Sequence, residues 1–294
     1  MATNDVMLIT GCSTGFGRVM AETLARKKYR VFAGMRDTKG RNAASAEQIA
    51  SLAKHESLPL RVVELDVNDN TSVDRAVDRV IREAGRIDVL VNNAGLSIRG
   101  LSEAVTVEQA ERIFETNVFA VQRMNRAVLP QMRKQKSGLL IHISSQAGRV
   151  VIPGFGMYGA SKFALEALVE SYHYELAGEG IESISVQPGA YATAIGQNAD
   201  KAADEERVGG YGPAAQIPAT LMANLGKRGD PQEVADVVLK LIEMPAGKRP
   251  LRTEVGVTGD FVARVNSFTD KIQAGLLSAF GLSSLTEFRG LNRK

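Results

Sequence analysis

A single cysteine, Cys12, in 294 residues excludes an internal disulfide framework and any metal site built on several thiolates. Histidines are almost as scarce: His55, His142 and His173 show no ligand spacing, so no metal centre is expected. Charge of one sign is also lacking, since 36 Lys and Arg against 33 Asp and Glu leave a net +3. A surplus that small, spread along the chain, argues against a nucleic-acid partner. No apolar run approaches the roughly 18 residues that signal a spanning helix, so no integral membrane segment is expected. The first apolar run, Val6–Ile9, has no cationic stretch before it and does not read as a secretory signal. A cytoplasmic protein is the expectation. There is no fixed-period repeat and no low-complexity tract.

What is present is ordinary globular composition, 44% hydrophobic and 23% charged, with ample length for a core. A prior of about 150 residues per domain suggests two domains. The pattern along the chain contradicts that prior. Short β-rich apolar runs at 6–10, 30–33, 60–65, 87–91, 139–144 and 184–186 alternate with helical stretches at 16–28, 41–56, 71–84, 107–133 and 157–177. Several strand runs are apolar on both parities (Val89, Leu90, Val91; Leu139, Leu140, Ile141), as in strands buried on both faces. Alternation of this kind predicts an α/β fold with a doubly wound parallel sheet of about seven strands, helices on both faces. The alternation runs past any midpoint, so one Rossmann domain over residues 1–260 is expected. Within it, residues 190–229 form a substrate lid rich in Ala, Gly and Pro. A helix beginning with Asp230 as N-cap and Pro231 runs to about Glu243, and residues 251–257 supply a last strand. Residues 261–294 form a helical extension packed on the same domain. Its stripe of Phe261, Val265, Phe268, Ile272, Leu276 and Phe280 has amphipathic-helix spacing, for packing on the body or on a partner subunit.

The first strand runs directly into Gly11-Cys12-Ser13-Thr14-Gly15-Phe16-Gly17 and then a helical pattern. That is the strand, glycine turn and helix context of a dinucleotide site. Gly11 permits the tight turn, Gly15 lets backbone approach a pyrophosphate, and Gly17 seats the helix against the strand. The helix start offers free N–H groups and a positive dipole end. The spacing is TGxxxGxG, and in it the chain resembles the short-chain dehydrogenase/reductase family, in its main single-domain branch. That resemblance covers about residues 5–260. It implies a single-domain oxidoreductase that moves a hydride between a nicotinamide cofactor and a carbonyl or alcohol.

An acid about 20 residues past the loop reads the ribose 2′-hydroxyl of NAD, while an arginine accommodates the 2′-phosphate of NADP. Arg36 and Asp37 both fall there, and counting alone does not decide. NAD-using members of the family place the acid at the strand's end, which aligns with Met35; Arg36 at the next position resembles the NADP-using members. NADP(H) is therefore expected, with an NAD-dependent alcohol dehydrogenase of the same family as the alternative. The resemblance also assigns Asp66 and Val67 to the adenine. It assigns Asn93, Ala94 and Gly95, in the Asn92-Asn93-Ala94-Gly95 signature, to lining the cofactor. Pro188 and Gly189 go beside the nicotinamide, and Thr193 to its carboxamide.

Tyr158 and Lys162 stand four apart on a predicted helix, so both side chains share a face. A nearby ammonium favours phenolate and is expected to lower the tyrosine pKa from about 10 toward the range useful for general acid–base catalysis. Ser145 lies thirteen residues before Tyr158, at the carboxyl end of a strand, where open α/β sheets bind ligands. By resemblance, Asn117 completes the catalytic set by ordering a water that links Lys162 to solvent. A nucleotide-sensing regulator that binds NADP without turnover would show a broken Ser, Tyr or Lys, and here all are intact. Ser144, by strand alternation, and His142, lacking an orienting acid, read as structural residues, and Cys12 as a small loop residue. The lid candidates Ala190, Tyr191, Ile195, Tyr211, Ile217, Leu221 and Met222 are mostly apolar, which predicts an apolar carbonyl or alcohol substrate. The long C-terminal part resembles the steroid- and retinol-acting members. The long helices at 107–133 and 157–177 are where family members pair, so a homodimer or homotetramer is expected.

Overall fold

The computed structural model describes residues 5–191, 193, 199–224 and 229–289. Its first strand, β1 (Val6–Ile9), buries four consecutive apolar side chains, a composition that requires cover on both faces. In chain order follow β2 (Arg30–Met35), β3 (Leu60–Glu64), β4 (Val89–Asn92), β5 (Ile98–Arg99), β6 (Gly138–Ile143), β7 (Ile181–Pro188), β8 (Asp200–Lys201) and β9 (Arg252–Val255). Seven of these form one parallel sheet in the order β3-β2-β1-β4-β6-β7-β9. The expected doubly wound sheet is therefore present. Strand order reverses between β1 and β4, and crevices for ligands open at such a reversal, outside the carboxyl ends of the strands.

Helices cover both faces. Met20 and Leu24 of α1 (Gly15–Arg26), Ile49 of α2 (Ala43–His55) and Val234 and Val238 of α9 (Pro231–Glu243) pack on one side. Val73 and Val77 of α3 (Asn70–Ala84), Met124 and Val128 of α5 (Ala120–Gln135) and Tyr172 and Leu176 of α6 (Gly156–Leu176) pack on the other. Each such buried side chain stabilises the fold by about 1.5–3 kcal/mol. Asp230 caps α9 through the Gln232 amide, with Pro231 at the first helical position as expected.

Three elements differ from the sequence expectation. The helix expected at 107–133 is divided: α4 (Val107–Phe114) meets α5 through a π-helical turn, Glu115–Phe119. Asn117 sits in that turn, held on both sides by hydrogen bonds that a regular helix would misdirect. The segment expected as a lid contains β8, paired with β5, and then α7 (Glu205–Val208) and α8 (Ile217–Asn224). Finally, the stripe on α10 (Gly259–Ala279) does not turn inward. Phe261, Phe268, Ile272, Leu276 and Phe280 are exposed, whereas Val262, Asn266 and Leu277 are buried. The inner face of α10 is mixed, two apolar side chains and the hydrogen-bonded Asn266.

Candidate active site

The glycine turn after β1 is built for close approach. Gly11 and Gly15 hold positive φ angles of 71° and 57°, which glycine adopts without strain. A Cβ on Gly17 would fall 2.3 Å from the Gly11 carbonyl oxygen and 2.5 Å from Asn93 Nδ2. Thr14 enters α1 in extended conformation, with no side-chain cap and no acid in the first turn. The helix start thus keeps N–H donors and a positive end for an anion. Ser13 and Phe16 are half-buried beside it, and buried Thr193 lies against Gly15, 3.5 Å from where its Cβ would be. These residues fit a dinucleotide pyrophosphate.

Thr10, which the sequence reading passed over, joins this loop to β4. Its buried hydroxyl accepts from the amides of Asn93 and Ala94, both at 2.9 Å. Asn93 Nδ2 in turn donates to the carbonyls of Thr10 (2.8 Å) and Gly11 (3.1 Å). At the end of β2, Arg36 is exposed, while Asp37 is turned back on its own chain. Asp37 has a φ of 52°, and its carboxylate accepts from the Arg41 amide at 2.7 Å. Glu64, a second residue missed from sequence, holds the amides of Asp37 and Thr38. Asp66 closes the next turn by accepting from the Asn68 amide, and Val67 is buried beside it.

Ser145 lies just past the end of β6 and starts a 3₁₀ turn, Gln146–Gly148, by accepting from the Ala147 amide at 3.1 Å. This turn packs bare backbone on α6: a Cβ on Gly148 would lie 2.9 Å from the Lys162 carbonyl oxygen. Tyr158 and Lys162 share one face of α6, with Nζ 5.9 Å from the tyrosine ring centroid. Lys162 is buried and donates to the Ile143 carbonyl at 2.9 Å. Asn117 faces the same place. Its side chain accepts from the Leu96 amide (2.8 Å) and donates to the Leu96 carbonyl and to Ser161 Oγ, both at 3.0 Å. A Cβ on Gly95 would stand 3.2 Å from Asn117 Oδ1 and 3.9 Å from Lys162 Nζ. Pro188 ends β7, and Gly189 stands against the buried Gln146 amide, 3.1 Å from where its own Cβ would be. The four expected catalytic side chains therefore surround one place at the switch point, with the expected nicotinamide-side residues beside them.

The expected lowering of the tyrosine pKa does not occur in the protein alone. Burial pushes the Tyr158 phenol above its ordinary value, and the Ser145 hydroxyl opposes that rise. Burial also brings Lys162 down to about 8, opposed by the Glu166 carboxylate one turn further along α6. Glu166 is itself buried and accepts from Ser185 Oγ at 3.1 Å; nothing in the sequence marked it. His142 is packed in the core as expected. Asn92 Nδ2 and Ser183 Oγ flank its ring at 3.3 Å each, and burial lowers its pKa to about 3. Cys12 is buried, its thiol pushed up by burial. Among the described residues no cluster could hold a metal ion.

Of the apolar lid candidates, Ile217, Leu221 and Met222 are half-buried, Ala190 and Tyr211 are exposed, and Ile195 lies outside the described residues. Tyr191 is a correction. Its ring is buried edge-on to Phe16, fills the space a Gly229 side chain would need, and its hydroxyl donates to Glu233 at 2.9 Å. It anchors the base of the segment rather than lining a substrate site.

Over residues 5–204 the sequence matches the profile of the short chain dehydrogenase family. The chain is a short-chain dehydrogenase. This short-chain dehydrogenase is 38% identical over 194 residues to a 3-ketodihydrosphingosine reductase of Bacteroides thetaiotaomicron, spanning 66% of each chain. It is 33% identical over 258 residues to retinol dehydrogenase 8 of Bos taurus, covering 84% of this chain and 80% of that one. A solved short-chain dehydrogenase from Streptomyces avermitilis is similar over 98% of this chain and all of its own, with TM-score 0.76 and 31% identity. As a family member the protein is an oxidoreductase acting on CH–OH or C=O groups with NAD(P). Among the described residues no helix is long and apolar enough to cross a membrane.

Proposed function

We propose that this dehydrogenase transfers a hydride between NADP(H) and an apolar carbonyl or secondary alcohol, with Tyr158 as general acid and base. The convergence of Ser145, Tyr158, Lys162 and Asn117 at the strand-order reversal carries this reading. When bound, the cofactor supplies or accepts the hydride. Ser145 donates a hydrogen bond to the substrate oxygen as negative charge develops there. Tyr158 gives that oxygen its proton in reduction and removes it in oxidation. Lys162 supplies positive charge below the phenol and holds the nicotinamide ribose. Asn117 braces the Leu96 backbone against α6, and the family's water relay to Lys162 is assigned to the same residue.

Gly11, Ser13, Thr14, Gly15, Phe16 and Gly17 receive the pyrophosphate. Asp66 and Val67 sit against the adenine, Asn93, Ala94 and Gly95 line the cofactor, and Pro188, Gly189 and Thr193 stand on its nicotinamide half. Arg36 receives the 2′-phosphate; the commitment of Asp37 to the Arg41 amide supports NADP over NAD. Half-buried Ile217, Leu221 and Met222 support an apolar substrate, as do the names of a ketone reductase and a retinol dehydrogenase among the relatives. Residues 1–260 act as one catalytic unit with the lid at 190–229, and 261–294 as its helical extension. The protein works in the cytoplasm as a homodimer or homotetramer, pairing through α5 and α6, where Phe119 and Phe163 are exposed near their starts.

The test is turnover of a panel of ketones, aldehydes and alcohols with NADPH and NADH, followed by nicotinamide absorbance. Tyr158→Phe keeps the ring and removes the hydroxyl. Its turnover should fall by about 10²–10⁴-fold, the usual contribution of a positioned acid, with cofactor binding retained. Near-normal turnover in that variant would refute the mechanism.

A further inference from the structure

The turn that carries Ser145 is closed locally by backbone bonds, from the Gly148 amide to the Ser145 carbonyl (2.9 Å) and from the Arg149 and Val150 amides to the Gln146 carbonyl, and its side chains tie it to distant parts of the chain. Ser145 Oγ accepts from the Ala147 amide and stands in hydrogen-bond contact with Tyr158, and the turn's two long polar side chains reach far along the chain. Gln146 is buried; its Nε2 donates to the Val255 carbonyl at 3.1 Å, and its Oε1 accepts from Thr258 Oγ1. The same amide packs on Gly189. Arg149 donates from Nε to Asn266 Oδ1 at 2.7 Å and from Nη2 to Thr269 Oγ1 at 2.6 Å. Asn266, buried on the inner face of α10, donates from Nδ2 to Gln187 Oε1 at 2.8 Å and to Glu254. Gln187 immediately precedes Pro188. One turn further along α10, Asp270 pairs with Arg252, which also holds Glu170 on α6.

These bonds, together with the buried Val262 and Leu277, fix which face of α10 turns inward. Thr258, Asn266 and Thr269 lie beyond residue 204, where the family match ends. We propose that the N-terminal half of α10 is a positioning element of the active site. Through Thr258 to Gln146, and through Asn266 and Thr269 to Arg149, it sets where Ser145 and Gly189 stand relative to Tyr158. The inference rests on the proposed roles of Ser145 and Tyr158. Arg149 matters by its shape: a planar guanidinium reaches both acceptors at once, which an ammonium does not.

The test compares wild type, Arg149→Met, Arg149→Lys, Thr258→Val and Tyr158→Phe for turnover, NADPH affinity and thermal melting. Displacing a catalytic group by about 1 Å costs on the order of 100-fold in rate. Arg149→Met should therefore lower kcat by roughly 10–100-fold with NADPH affinity within about twofold, at a temperature well below its melt. Arg149→Lys should recover part of the loss, and Thr258→Val, which keeps shape and removes one donor, should lose several-fold. A residue that only stabilises the fold would lower the melt and leave kcat alone. Wild-type kcat in folded Arg149→Met overturns the proposal. If that variant does not fold, wild-type kcat in Thr258→Val overturns it. Tyr158→Phe separates the two readings. If it is inactive while Arg149→Met matches wild type, only the positioning role fails; if it is active, the proposed chemistry fails and the positioning role with it.

Discussion

Removing the Arg36 side chain should separate the two cofactors. Arg36 is exposed at the end of β2, and its neighbour Asp37 is committed to the Arg41 amide, with Glu64 bonded to the amides of Asp37 and Thr38. A 2′-phosphate there would meet a guanidinium able to form paired charge-assisted bonds. Hydrogen bonds to charged groups contribute about 1.5–3 kcal/mol, and solvent exposure places this one near the lower end. At about 1.4 kcal/mol per decade, Arg36→Ala should weaken NADPH binding roughly 10–30-fold. NADH has no 2′-phosphate and should change by less than about twofold on the same reasoning. The chain has no tryptophan to quench, so calorimetry or the cofactor's own fluorescence is the assay. Raised salt should weaken NADPH more than NADH, because the contact is screened. Equal losses for both cofactors would refute the assignment. So would a selective loss of NADH in Asp37→Ala, because that result would place the acid on the ribose.

Two further outcomes rest on buried geometry. His142 has an ordinary pKa of 6.5 and a folded value of about 3, so the unfolded chain takes up its proton first on acidification. Its contribution is present at neutral pH and fades below about 6.5, by about 1.4 kcal/mol between pH 7.5 and 5.5. Urea unfolding followed by circular dichroism should show a pH slope flatter by that amount in His142→Gln, other titrating groups cancelling in the comparison. Identical slopes would show that the imidazole does titrate in the fold. Gly17→Ala puts a methyl 2.3 Å from the Gly11 carbonyl oxygen. Overpacking of this kind costs about 1–3 kcal/mol, and here it pushes α1 off the glycine turn. NADPH titration should show a large loss of affinity beside a modest drop in melting temperature; unchanged affinity would mean that the turn does not receive the cofactor.

The parts of the fold that were legible are those decided by short-range pattern. Val89, Leu90 and Val91 are apolar on both parities because helices cover both faces of β4, and that requirement is visible in three residues. The turn from Gly11 to Gly17 is legible for the same local reason, since glycine adopts those φ angles without strain and has no Cβ to block the close approach at Gly17. The spacing of Ser145, Tyr158 and Lys162 carried the candidate site. Contacts made by residues far apart in sequence were not legible. Tyr191 looked like a lid residue because it is aromatic and near the nicotinamide side; its partners Phe16, Gly229 and Glu233 are 175, 38 and 42 positions away. The α10 stripe was expected against the body or a partner subunit because hydrophobicity usually sets the buried face, and it does not pack on the body. Here Asn266 is drawn inward by Arg149, 117 residues earlier, and by Gln187. Counting could not decide between Arg36 and Asp37, and the bond from the Arg41 amide to the Asp37 carboxylate is made within a turn that counting does not show.

The raised phenol and the lowered ammonium have one cause. Desolvation penalises a phenolate and an ammonium alike, so burial drives Tyr158 up while it brings Lys162 to about 8. An opposite charge opposes this more strongly the closer it stands to the titrating atom. Lys162 Nζ instead donates to the Ile143 carbonyl, 5.9 Å from the tyrosine ring centroid. The resting site therefore holds a protonated phenol with a proton to give. Glu166 opposes the loss of charge on Lys162 from within the same helix. On the proposed chemistry, that phenol gives its proton in carbonyl reduction and takes the alcohol proton, as phenolate, in oxidation. Four-residue spacing on α6 decides that Tyr158 and Lys162 meet. How far burial shifts the two groups is decided by the walls around them, and those come from β6, from the π-helical turn at Asn117 and from the 3₁₀ turn after Ser145.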